Sequence, residues 1–202
     1  DAIKYVKKKG VKKAFIIGTS LREEHIMPYD SAIALSNLPE DSLALLIQFK
    51  AAHNDQTPLI FRINNNSTKD QHQKLLNLSL RYPSSVFYSF PLYSDYNQIY
   101  SDSPNLLRNT WFLNIDNIGV LNPSNKSHKV EVNSNGLIIV HSESKELKGI
   151  KWEEILSGMK ISKEAIKKGL QKDKNGEKIN YGIPVKELIK EKEFKKGPEE
   201  YL

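Results

Sequence analysis

Two stretches decide how this chain is read: Asp30-Ser31-Ala32-Ile33-Ala34-Leu35 and Leu43-Ala44-Leu45-Leu46-Ile47-Gln48-Phe49-Lys50. Between them, Asn37-Leu38-Pro39-Glu40-Asp41-Ser42 has turn composition. The first predicts a strand with small residues (Ala32, Ala34) on one side and Ile33 and Leu35 on the other. The second is apolar at nearly every position, which predicts a central strand covered on both faces. Its end breaks that pattern. Gln48 and Lys50 stand at i and i+2, so they project from one face. A polar pair closing a buried strand must be satisfied, and metal, water or a phosphate would satisfy it. Asp30, after Pro28-Tyr29, opens the preceding strand.

Working outward, Asn54-Asp55-Gln56-Thr57-Pro58 leads into Leu59-Ile60-Phe61-Arg62-Ile63, predicted as the third strand of an antiparallel meander over residues 30–63. Residues 68–81 read as a helix with Leu75, Leu76, Leu78 and Leu80 and a Ser67 or Thr68 cap, ended by Tyr82-Pro83. Val86 to Phe90 is a strand closed by Pro91. Upstream, residues 2–9 predict a short basic helix, Ala14 to Ile17 a strand or helix start, and 19–27 a helix with acids in its first turn that Pro28 breaks. Downstream, Tyr93, Tyr96 and Tyr100 fall at the spacing of a helical aromatic face. Strands are predicted at Trp111 to Ile115, Val130 to Val132 and Leu137 to His141, and helices at Trp152 to Met159 and Ser162 to Leu170. From Gln171 the chain turns polar. The expected division is a domain over 1–170 and a polar linker with a charged helix or tail over 171–202. No internal repeat is present.

At 202 residues the chain is long enough for one domain with a full core. No apolar run approaches the length that spans a bilayer, and the N-terminal lysines lead into no signal-peptide pattern. With no cysteine, disulfides, thiolate zinc sites and cysteine nucleophiles are excluded, and the cytoplasm is the expected compartment. The net charge of +6 divides into +6 over residues 1–22, −4 over 23–144 and +4 over 145–202. A mildly acidic middle between lysine-rich flanks suits a metal-binding core with phosphate-attracting edges, Lys12 and Lys13 among them. Solvated helix faces give the same charge map. Because the chain opens on Asp1 and not Met, a larger parent chain or complex is expected.

The order of helix with Glu24, strand with Asp30, turn, strand with Gln48-x-Lys50, strand and helix resembles the PD-(D/E)xK nuclease superfamily, in the variant Asp…Gln-x-Lys, over residues 20–90. The resemblance implies a restriction-endonuclease-like α/β fold: a mixed central sheet with an antiparallel meander flanked by helices, here with a helical lysine-rich C-terminal extension. It implies Mg²⁺-dependent (or Mn²⁺-dependent) hydrolysis of DNA phosphodiester bonds, in restriction or another defence. Asp30 would be the primary metal ligand. Gln48 and the backbone carbonyl of Phe49 would complete the protein side, and Lys50 would orient or activate the attacking water. Glu24, or Glu23, would supply a further carboxylate. Hydrolysis of this kind needs a hard cation on oxygen ligands and positive charge beside the reacting phosphate. One carboxylate plus an amide carries less charge than the usual pair, which gives Glu24 its importance. Cutting both strands favours a homodimer.

Further contacts to nucleic acid are expected from Arg62 and from His72. Arg62 alternatively pairs with an acid, and His72 alternatively faces solvent or caps its helix. His25 is expected at the surface, and His53, His128 and His141 are too scattered for a metal cluster. Tyr82, Tyr88, Tyr93, Tyr96 and Tyr100 can stack on bases, but rows at such spacing also build cores. No P-loop, dinucleotide glycine pattern, G-x-S-x-G or H-E-x-x-H is present. Two other readings stay open. One is a non-catalytic nucleic-acid-binding or partner-binding module that keeps the fold. The other is an accidental motif, in which Lys50 snorkels to solvent and Asp30 caps a turn.

Overall fold

Alternate side chains of Leu43–Phe49 enter two separate cores, and that makes this strand the centre of the molecule. Ala44 and Leu46 pack into one cluster, and Leu43, Leu45 and Ile47 into the other. A strand covered on both faces has no side to make polar, hence the continuous apolar run.

The computed structural model describes residues 13–18, 28–36, 43–64, 70–103, 105–167 and 182–184. In chain order the strands are β1 (Lys13–Gly18), β2 (Ser31–Ser36), β3 (Leu43–Phe49), β4 (Leu59–Asn64), β5 (Val86–Pro91), β6 (Thr110–Asn114), β7 (Ser127–Val132), β8 (Leu137–Val140), β9 (Lys145–Lys148) and β10 (Ile183–Pro184). The helices are α1 (Gln71–Arg81), α2 (Tyr96–Asp102), the single turn α3 (Ile115–Ile118) and α4 (Trp152–Lys167).

The first sheet runs β1-β2-β3-β5-β6, and β10 pairs with the start of β3. It is mixed: β3 is antiparallel to β2 and parallel to β5. The second sheet, β4-β7-β8-β9, is antiparallel throughout. One face of the first sheet, through Ala32, Ala34, Ala44, Leu46, Tyr88 and Phe90, shares a core with α1 and with the inner side of the second sheet. Its other face, through Ile33, Ile47, Phe87 and Phe112, packs on Trp152, Ile155, Leu156 and Met159 of α4. The class is therefore mixed α/β with two sheets and flanking helices.

Several expectations are corrected. The antiparallel meander exists, but its members are β1, β2 and β3. Residues 59–63 do form a strand, and that strand leaves for the second sheet, pairing Phe61 with Val130 and Ile63 with His128. Its alternating burial shows one covered face, and alternation says nothing about which sheet supplies the cover. The two helices expected over 152–170 are one helix, Trp152–Lys167: it runs on through Gly158, and no Pro stands between the two segments to stop it. The buried stripe of α1 is His72, Leu75, Leu76 and Ser79, at i, i+3, i+4 and i+7, with Leu78 on its flank. Leu80 lies off that stripe and is 70 % exposed. The aromatic face at 93, 96 and 100 does not form: Tyr93 is buried ahead of α2, while Tyr96 and Tyr100 on α2 point to solvent. Within the stretch expected to be tail, Ile183 is fully buried against the first sheet. The predicted helices over 2–9 and 19–27 lie outside the described residues. Among the described residues no helix is long and apolar enough to cross a membrane.

Candidate functional site

The β2–β3 register pairs Ser31 with Ile47, so the residue before β2 meets the residue after Ile47. Asp30 N–H donates to the Ile47 carbonyl at 3.1 Å, which holds the acid at the carboxyl end of β3. Its Oδ2 accepts from Phe49 N–H and from Gln48 Nε2, both at 2.7 Å. Gln48 and Lys50 share a face, as two-residue periodicity requires. Gln48 is buried, and the Lys50 ammonium turns toward α1 and donates to Gln71 Oε1 at 3.2 Å. Gln71 Nε2 in turn donates to Gln48 Oε1 at 2.8 Å. Four side chains thus form one chain of hydrogen bonds, Lys50 to Gln71 to Gln48 to Asp30. An ammonium only donates and an ionised carboxylate only accepts, so the ends fix the orientation of both amides between them.

Burial pushes the Lys50 ammonium down to about 8, and the Asp30 charge works against that shift. The same ammonium stands 5.1 Å from the centre of the Tyr88 ring, within the range of a cation–π attraction. Lys50 therefore does not snorkel away from the hairpin. Asp30 Oδ2 and the Phe49 carbonyl both accept from one atom, Gln48 Nε2, the carbonyl at 3.2 Å. Both oxygens face a partly positive nitrogen, and a carboxylate and a carbonyl are the hard oxygen donors that a divalent cation takes. Asp30, the Phe49 carbonyl and, once turned, the Gln48 amide oxygen are the described groups that could hold it.

The floor of the site is a second, buried network. His72 Nε2 lies 2.8 Å from the Gly119 carbonyl, and Nδ1 lies 3.1 Å from the Tyr88 hydroxyl. A carbonyl only accepts, so Nε2 carries the proton, and Tyr88 donates to Nδ1. Burial lowers the His72 pKa from 6.5, in keeping with a neutral ring, while the bond to Gly119 opposes the shift. The expected role for His72, a contact with nucleic acid or a place facing solvent, gives way to a structural one: its ring is buried between α1 and β5. Below pH 6.5 the unfolded chain takes up a proton there that the folded chain resists. Stability should therefore fall as pH drops through this window, by at most about 1.4 kcal/mol per pH unit. Urea titrations of wild type and His72→Gln across the window check this, and the variant is expected to show the shallower slope.

Of the other residues singled out, Arg62 is exposed on β4, opposite Lys129, on the side of the second sheet that faces away from the shared core. Its strand belongs to the other sheet from the strand that carries Gln48. Lys13 opens β1. Lys12, Glu23, Glu24 and His25 lie outside the described residues. His128 is buried on β7 with Nδ1 2.6 Å from Ser142 Oγ, and His141 pairs with Glu131 at 3.1 Å. Among the described residues no group of three or more His, Asp or Glu is arranged to hold a metal. Gln71 is the site residue that sequence reading missed. On this helix the sequence points to its neighbour His72 instead. The signal that separates them is the buried stripe: His72 lies on it and Gln71 beside it, toward Lys50.

No protein-family model matches the chain, and neither curated proteins nor solved structures yield a similar chain.

Proposed function

We propose that this chain is a Mg²⁺-dependent endonuclease of the PD-(D/E)xK, restriction-endonuclease-like kind, hydrolysing DNA phosphodiester bonds. The observation that carries the reading is the convergence of Asp30, Gln48 and Lys50 at the carboxyl end of one central strand. An antiparallel meander ending in the motif strand, with a helix packed behind it, supports the same reading. A bound Mg²⁺ would lower the pKa of a coordinated water and draw charge from the phosphate. Asp30 and the Phe49 carbonyl would hold it, with the Gln48 oxygen and the expected carboxylate of Glu24. Lys50, a partly desolvated amine, would bring a positive charge to a phosphate oxygen that gains negative charge. Restriction or another defence is the setting such a nuclease suits, and cutting both strands calls for two copies.

One observation favours a second reading, a nucleic-acid-binding module without turnover. The chain from Lys50 to Asp30 joins one positive and one negative charge through two amides, all of them groups of the protein itself.

Supercoiled plasmid incubated with the protein and Mg²⁺, with and without EDTA, separates the two. The nuclease reading expects nicked or linear product that EDTA abolishes. Retardation on a gel without cleavage favours the second reading, and neither result removes both.

A further inference from the structure

We propose that Gln48 and Gln71 form a two-position amide latch, in which cation binding reverses both amides and releases Lys50 from Gln71. The inference rests on the reading of Asp30, Gln48 and Phe49 as a cation site, and it assigns Gln71 as that site's positioning residue.

The argument starts from the direction of the hydrogen bonds. As the site stands, the Gln48 amide nitrogen donates to both Asp30 Oδ2 and the Phe49 carbonyl. That nitrogen, and not the amide oxygen, faces Asp30 and the Phe49 carbonyl, while the amide oxygen faces Gln71. Gln48 can offer a cation its oxygen only by turning its amide through half a rotation. That turn carries Gln48 Nε2 toward Gln71 Nε2, and two donors cannot bond each other. Gln48 is only 5 % exposed, so water is poorly placed to take up the orphaned donor. Gln71 must therefore turn as well, presenting Oε1 to Gln48 and its nitrogen to Lys50. The ammonium has no acceptor left there and lets go. Cation occupancy and a freed Lys50 are one event, and the amine is held in reserve until the cation is in place.

Two substitutions read the latch. Gln71 is half-exposed at the first position of α1, so neither one opens the core. Gln71→Met keeps the length and removes the Lys50 bond that the cation must break. Mg²⁺ should bind it roughly two- to tenfold more tightly than wild type, the equivalent of one net hydrogen bond. Gln71→Glu accepts from Gln48 and Lys50 together, so the reversed direction no longer costs the Lys50 contact. It should tighten Mg²⁺ further. Affinities come from calorimetry with Mg²⁺ alone. In wild type, the side-chain amide resonances of Gln48 and Gln71 should move together at the calorimetric midpoint in a Mg²⁺ titration followed by NMR.

Equal Mg²⁺ affinity in all three proteins, with both amide resonances unmoved, overturns the latch and leaves the nuclease reading standing. Weaker binding in Gln71→Met also overturns it, since Gln71 would then be helping the bound state. No Mg²⁺ binding by any of the three overturns the cation site and the latch with it.

Discussion

Asp30→Ala is expected to abolish Mg²⁺-dependent cleavage of plasmid DNA, and Lys50→Ala to slow it on the order of 10²- to 10⁴-fold. The second figure is the range that a positioned acid, base or charge contributes to a transition state. The two losses differ in kind. Asp30 is the carboxylate on which the described oxygen donors centre, so without it the cation has only neutral groups to bind among them. Among the described residues Lys50 reaches the proposed ligands through Gln71, so its loss should leave Mg²⁺ affinity much closer to wild type. Calorimetry beside the cleavage assay makes the distinction. Both variants should fold: Asp30 and Lys50 are half-exposed, and Phe49 N–H, freed by Asp30→Ala, is open to water. Two folded variants cutting at the parent rate would end the nuclease assignment.

The largest effect on stability is expected from Phe61→Ala, at roughly 3–5 kcal/mol. Phe61 is fully buried on β4, edge-on to Phe90 of β5 with ring centres 5.0 Å apart. Its ring crosses from the second sheet to the first, so the cavity opens in the core they share. Against a whole-domain stability of about 5–15 kcal/mol, that is a large fraction. The two tryptophans read both sheets: Trp152 packs between α4 and the first sheet, and the ring of Trp111 on β6 lies beside Gly136, between β7 and β8 of the second. Urea unfolding followed by tryptophan fluorescence should shift to a midpoint lower by on the order of 1–3 M while remaining one transition. Phe49→Ala, at a ring 46 % exposed, should move the midpoint little. An unmoved tryptophan transition in Phe61→Ala would mean that this cavity leaves the shared core unweakened.

Local pattern carried the motif hairpin and failed beyond it. Two-residue alternation put Gln48 and Lys50 on one face, and the short turn put Asp30 beside them; each is a property of neighbouring residues. The apolar run of β3 likewise announced a strand covered twice. The sheet to which β4 belongs is decided by β7, more than sixty residues later, and nothing in Leu59–Asn64 encodes that partner. His72 was misplaced for a related reason. A histidine near a helix start looks exposed until Tyr88 and the Gly119 carbonyl, both remote in sequence, arrive to satisfy its two nitrogens. Gln71 had no apolar or charged signature at all, and only the direction of its hydrogen bonds gives it a role. The exposed Tyr96 and Tyr100 had the right spacing for a buried face, but among the described residues no other element covers that side of α2.

The pairing of β10 with β3 bears on how the protein is made. Ile183 and Pro184 lie opposite Ala44 and Leu43, so the innermost strand takes a neighbour from residues about 140 positions further along the chain. During synthesis the motif hairpin and β5 leave the ribosome long before that neighbour exists. Until residue 184 emerges, the first two residues of β3 have an open side, and unpaired strand edges are where nascent chains associate wrongly. A version of the chain ending at residue 170, where composition suggests a boundary, would keep every described residue of the candidate site and carry that open side permanently.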